Sequence, residues 1–268
     1  MLFGIADAPG FPLPSASLEA FGLKFTCGGA HISRTMMLAE LATVLAQVPL
    51  DAPASEYRSA ILHDNVLGKT TDSTRQKSHR HLRELYALDR TTPIFGVLRK
   101  LNAVDRGASL PLLAAQVAWA RDPLFRATTQ AILVASVGDR VETESLSQNL
   151  QDKYPDQYSE HNLMKIARNA ASSWTQAGYL KGAAKKICRP LEPTAVAATM
   201  AFFLGHIGGY QGASIFSNPW CTLLRLDANR SRTLGYSANR AGLLNLRAIS
   251  DIVEVSFPLF AEFQSHTT

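Results

Sequence analysis

Apolar residues recur at three- and four-residue intervals along most of the chain, the period of a helix that packs on one side. Residues 36–48, 55–63, 73–88, 94–101 and 110–120 carry that period and are predicted as helices. Short loops marked by Pro49, Pro53, Pro93 and Pro111 separate them. Thr71, Asp72 and Ser73 offer hydroxyl and carboxylate caps directly ahead of a basic helix. After Pro123 the pattern predicts an apolar helix over 124–137, a break at Gly138-Asp139, and a shorter amphipathic helix over 143–153. A turn around Pro155 follows, and Ser159 caps a long helix running to about Ala177. Gly178 stops that helix, and residues 179–191 read as two short strands about a Gly182-Ala183-Ala184 turn. Three helices followed by a hairpin, the third helix longest, is the element order of a winged helix-turn-helix.

The carboxyl-terminal part repeats the end of that unit. Ala177-Gly178-Tyr179-Leu180 reappears as Ala241-Gly242-Leu243-Leu244, followed by predicted strands over 245–250 and 252–257 that turn at Ser250-Asp251. Ile252, Val253 and Val255 supply β-branched strand residues. Asn218-Pro219 starts a helix and Asp227 caps the next. The predicted fold class is mainly α, a helical bundle with helix-turn-helix or winged-helix units and one or two short β-hairpins. The expected organisation is a loosely ordered arm over 1–25 and an all-helical, helix-turn-helix-like domain over 26–121. A winged-helix-like domain over 122–193 and a helical segment ending in a hairpin over 194–268 complete it.

With 46% apolar and 18% charged residues in a chain of 268, the composition is that of a globular protein with a real core. Cys27, Cys188 and Cys221 stand far apart, which argues against a disulfide framework or a zinc site and suits the cytoplasm. The first residues lack a basic start and are broken by Pro9, Pro12 and Pro14, so no signal peptide is expected. Residues 193–224 contain no Lys, Arg, Asp or Glu, but only 195–204 is continuously apolar, well short of the ~20 residues a membrane span needs. A buried helix is expected there, its glycines permitting close packing, and no membrane partner.

The net charge of +5 is modest, so its distribution decides the reading. On a helical wheel, Leu163, Ile166, Ala167, Ala170, Trp174 and Ala177 fall on one side of the long helix, and Lys165, Arg168, Asn169, Ser172 and Gln176 on the other. Lys181, Lys185, Lys186 and Arg189 follow on the hairpin, and no acid stands between His161 and Arg189. Cations for phosphates beside Asn, Gln, Ser or Arg for base edges are what a nucleic-acid-reading helix needs. Solvated faces usually interleave Glu with Lys, which this one does not. A second face joins Gln76, His79, Arg80 and Arg83 on the helix over 74–88. A third, ranked lowest, sets Arg232, Tyr236, Asn239 and Arg240 opposite Leu234, Ala238, Ala241 and Leu244.

Catalytic chemistry finds little support. His79 and His81 lie about 200° apart round a helix and cannot share a metal. His31, His63, His161, His206 and His266 stand alone in the sequence, and no glycine-rich phosphate loop appears. Asp251 and Glu254 lack the further carboxylates that metal chemistry wants. The sequence therefore predicts no catalytic residue, no metal, no cofactor and no enzymatic activity.

The run Asn65-Val66-Leu67-Gly68-Lys69-Thr70-Thr71, then Ser73-Thr74-Arg75 and His81-Leu82-Arg83-Glu84-Leu85-Tyr86, resembles the amino-terminal signature of the BrxA family. Residues 170–176 (AASSWTQ) and the closing Val253-Glu254-Val255-Ser256-Phe257 resemble it too. BrxA belongs to BREX, a bacterial phage-defence system. The resemblance spans about residues 26–257. It implies a small, mostly helical, non-enzymatic protein that binds double-stranded DNA, with the system's methyltransferase and ATPase as presumed partners. It carries no catalytic residues across. The alternatives are a protein-interaction scaffold of the defence complex and a winged-helix transcription repressor.

Overall fold

The computed structural model of the chain describes residues 10–249 and 252–264. It is mainly helical, with two small open sheets. The first half runs through α1 (Ala16–Phe21), a 3-10 turn at Ala30–Ile32, α2 (Leu38–Gln47), α3 (Ala54–Leu62), α4 (Asp72–Tyr86), α5 (Pro93–Val104) and α6 (Leu110–Arg121). Prolines sit in the first turns of α5 and α6, where a missing N–H leaves no hydrogen bond unmade. Every residue of α6 from Leu112 to Arg121 is buried, so this helix is the post around which α4, α5 and α11 (Ala195–Ile207) pack.

Part of the stretch expected as a loose arm is firmly packed. Phe21 is fully buried with its ring 5.9 Å from that of Phe203, and Phe11 sits edge-on to Trp119 at 4.9 Å. A six-residue helix is too short to display a period, which is why the sequence pattern did not announce it. Residues 1–9 of the expected arm lie outside the described residues.

Past α6 come α7 (Pro123–Ala127), α8 (Thr129–Leu133), β1 (Arg140–Val141), α9 (Thr143–Lys153), α10 (Glu160–Gln176), β2 (Leu180–Lys181) and β3 (Lys186–Cys188). The single helix expected over 124–137 is thus two short ones. Their junction is held by hydroxyls: Thr128 Oγ1 donates to Phe125 O at 2.7 Å and Thr129 Oγ1 to Arg126 O at 2.6 Å. The same hydroxyls accept the indole N–H groups of Trp174 and Trp119, at 2.9 and 2.7 Å. The expected two-stranded hairpin is also corrected. β1 joins it, giving a three-stranded antiparallel sheet of order β1-β3-β2, with Arg140 opposite Ile187 and Leu180 opposite Cys188.

The charge-free stretch folds as α11, buried from Val196 to Gly205. A Cβ at Gly205 would stand 2.3 Å from the Asn218 amide nitrogen, which donates to Ala201 O, so glycine there is a packing requirement. Among the described residues, no helix is long and apolar enough to cross a membrane. A 3-10 turn at Gly212–Ser217, α12 (Pro219–Leu223), α13 (Ala228–Arg240), β4 (Asn245–Ile249), β5 (Ile252–Ser256) and α14 (Ala261–Gln264) follow. β4 and β5 pair antiparallel as expected; the Ser250-Asp251 turn lies outside the described residues. Buried apolar side chains form one cluster from Phe11 to Phe263, so the units expected from the sequence share a core.

Candidate nucleic-acid interface

Ser159 caps α10 by accepting the Asn162 N–H. The stripe Leu163, Ile166, Ala167, Ala170, Ala171 and Trp174 is buried, its Trp174 ring 4.3 Å from Phe125 and 4.8 Å from Tyr179. That packing turns the opposite side outward. Lys165 and Arg168 are exposed, and among the described residues neither meets a carboxylate; Ser172, half-buried, lies beside them.

Asn169 and Gln176 are placed differently from the sequence expectation. Segment 30–38 lies along their flank of the helix. Asn169 Nδ2 donates to His31 O at 2.9 Å. Gln176 Nε2 donates to Thr35 Oγ1 at 3.0 Å, and its Oε1 accepts the Leu38 N–H at 3.0 Å. Met37, the residue before α2, offers that helix no side-chain cap and sits at φ 53°, so Gln176 satisfies one of its orphan donors. Both amides hold the protein to itself, and the open part of the face is Lys165, Arg168 and Ser172.

Behind α10, the sheet sorts the cations of the hairpin. Leu180, Cys188 and Val141 turn inward, while Lys181, opposite Ile187, points outward. Lys186 Nζ donates to Gly182 O at 2.9 Å and closes the turn; burial pulls its ammonium below the ordinary lysine value. Lys181, Lys185 and Arg189 are exposed. Gly182 has φ 98°, and a Cβ there would stand 2.1 Å from Lys185 O. Gly182→Ala is therefore expected to cost more than about 1 kcal/mol in chemical denaturation.

On α4, Thr71 accepts the Thr74 N–H, and Ser78, His81, Leu82, Leu85 and Tyr86 face inward. Gln76, Arg80 and Arg83 are exposed and His79 is half-buried between them. Burial lowers the His79 pKa, and the guanidinium groups of Arg58 and Arg83 lower it further, so this surface is already electropositive with the imidazole neutral. Segment 30–38 touches α4 as well: Ser33 Oγ approaches His81 Nε2 at 3.4 Å, and Tyr86 donates to Met36 O at 2.5 Å. The two basic helices flank one piece of chain.

Sequence reasoning missed a cluster beneath that piece. His31 Nδ1 lies 2.7 Å from Asp122 Oδ2, and His31 Nε2 lies 2.8 Å from Ser173 Oγ. All three side chains are buried, and the imidazole stacks on Phe125 at 4.7 Å. Asp122 also accepts the N–H groups of His31, Leu124 and Phe125. Burial alone would raise its carboxyl; the His31 imidazole and these backbone donors outweigh burial and hold it below the ordinary value. Ser173 Oγ accepts the Met36 N–H at 2.8 Å and reaches Asn169 O at 2.9 Å. The order Ser–His–Asp resembles a hydrolase, but with no solvent access this trio acts as a lock that fixes segment 30–38 on α10. Neither the capping role of Asp122 ahead of Pro123 nor its pairing with His31 was read from the sequence. Among the described residues, no group of three or more His, Cys, Asp or Glu could hold a metal ion.

No family model matches the sequence, and no curated protein matches it. A solved structure titled "SspB crystal structure" shares its fold with a TM-score of 0.53 at 11% identity, over 93% of this chain and 90% of that chain. At that identity the likeness is one of fold alone.

Proposed function

We propose that the chain is a non-enzymatic, double-stranded-DNA-binding protein that acts through a winged helix-turn-helix built from residues 122–193. The observation that carries this reading is the element order α8, β1, α9, α10, β2, β3 with sheet order β1-β3-β2. In a winged helix the first strand pairs with the last in this way, and the helix before the hairpin enters the major groove. Lys165 and Arg168 on α10, with Lys181, Lys185 and Arg189 on the hairpin, would meet phosphates. Gln76, Arg80 and Arg83 on α4, across segment 30–38 from α10, would add to the contact. The resemblance to the BrxA family supports service in a BREX-type phage-defence system, alongside its other subunits.

Because Asn169 and Gln176 are engaged within the protein, α10 contributes charge more than base readout. Contacts made through α10 are therefore expected to be of similar strength on duplexes of unrelated sequence and to depend steeply on salt, losing roughly 0.9 units of log affinity per log salt for each phosphate contact. Fluorescence anisotropy at a series of salt concentrations tests this. Negligible duplex binding at low salt, together with co-purification of a protein partner, would favour the scaffold reading instead.

A further inference from the structure

The end of α10 and the end of α13 are the same structure. Ala177 N donates to Ser173 O and Ala241 N to Ser237 O; Tyr179 N donates to Trp174 O and Leu243 N to Ala238 O. Gly178 and Gly242, both at positive φ, occupy the same place, and each leads into an antiparallel hairpin. The shift that carries Ala177 onto Ala241 carries Trp174 onto Ala238, each the last buried residue of its helix. It also carries Lys165, Arg168, Asn169, Ser172 and Gln176 onto Asn229, Arg232, Thr233, Tyr236 and Arg240.

These last five are all exposed. On α10 the equivalent flank is covered by segment 30–38; on α13 the neighbouring 3-10 turn packs on the other side, where Phe216 lies against Gly235 and a Cβ would meet its ring at 2.9 Å. From Ala228 to Ile249 the chain has four arginines and no acid, and the Asp227 carboxylate ahead of them is engaged as the cap of α13. Arg232 lies 5.6 Å from the Phe216 ring centre and Arg240 donates to Ser237 Oγ at 3.2 Å, and neither meets a carboxylate among the described residues. Arg247 stands opposite Glu254 in the register of the hairpin. Asn239, which the sequence pattern put on the outer face, accepts the Leu246 N–H and fastens the hairpin.

We infer that the α13 face made by Asn229, Arg232, Thr233, Tyr236 and Arg240 is a second surface for double-stranded nucleic acid. It is also the surface whose polar side chains are free to reach base edges. The choice of a duplex as occupant rests on the reading of α10; the charge and freedom of the face do not. Arginine is suited to the guanine edge and to phosphate alike, and asparagine to the adenine edge.

The test uses the full chain and a duplex of about three helical turns, with anisotropy measured over a salt series. Three proteins are compared: the parent, Arg232→Ala with Arg240→Ala, and Lys165→Ala with Arg168→Ala. All four side chains are exposed, and unchanged thermal melting checks that each variant folds. The α13 double variant is expected to bind at least about tenfold more weakly at low salt, with its salt slope reduced by about two units. It should also lose any preference among duplex sequences. Parent-like affinity and slope in that variant, with the α10 variant impaired, overturns the inference and leaves the α10 reading standing. The reverse pattern overturns the α10 reading alone. A parent without duplex binding, or two parent-like variants, overturns both.

Discussion

Asn in place of Asp122 is expected to destabilise the fold by about 3–5 kcal/mol at neutral pH, the usual loss when one member of a buried, hydrogen-bonded pair is removed. Four donors converge on this carboxylate: the His31 N–H and Nδ1 on Oδ2, and the Leu124 and Phe125 N–H groups on Oδ1. An amide of the same shape has one accepting oxygen, so its NH2 must face two of these donors, and buried groups are left unpaired. The pH dependence follows from the depressed carboxyl. The folded state holds Asp122 below its ordinary value of 3.8, so the stability it supplies is complete above that value and is lost as the pH falls through the folded-state pKa. The gap between parent and Asp122→Asn should therefore be widest at neutral pH and should narrow in strong acid. Denaturant unfolding at several pH values measures it. A gap under about 1 kcal/mol at pH 7 would show that the trio contributes little.

The second large effect concerns binding. Lys165→Ala combined with Arg168→Ala is expected to weaken duplex binding for every sequence and to flatten the salt slope by about two units. Stability should barely change, because both side chains are exposed and meet no carboxylate among the described residues. Gln176→Ala should do the opposite. It uncaps α2 and frees segment 30–38 while leaving the outward cations in place. Comparing the two variants separates a surface that touches DNA from one that holds the protein together.

The face of α10 was legible only in outline. A wheel gives the angle of a side chain about its own helix, and it put Lys165, Arg168, Asn169, Ser172 and Gln176 on one side. It cannot register that another piece of chain will lie along part of that side. The α13 face ranked lowest in the sequence, and no wheel indicates that its flank stays uncovered. The shared ending of the two helices was visible as four matched positions, but the matched backbone hydrogen bonds that establish the register required coordinates.

The sequence by itself determined what depends on neighbours a few residues away. Helical periods, the caps at Thr71, Ser159, Asn218 and Asp227, the stop at Gly178 and the strands of the last hairpin belong here, because their hydrogen bonds close within a turn or across a short hairpin. Tertiary structure alone decided the rest. β1 is two residues long and exists only because β3 pairs with it. The helix expected over 124–137 breaks where Trp119 of the preceding helix α6 and Trp174 of the more remote α10 take up its threonine hydroxyls. His31 meets Asp122 and Ser173 across 91 and 142 residues of chain. Contacts of that separation leave no periodic trace, since what brings the partners together is the packing of whole helices around α6.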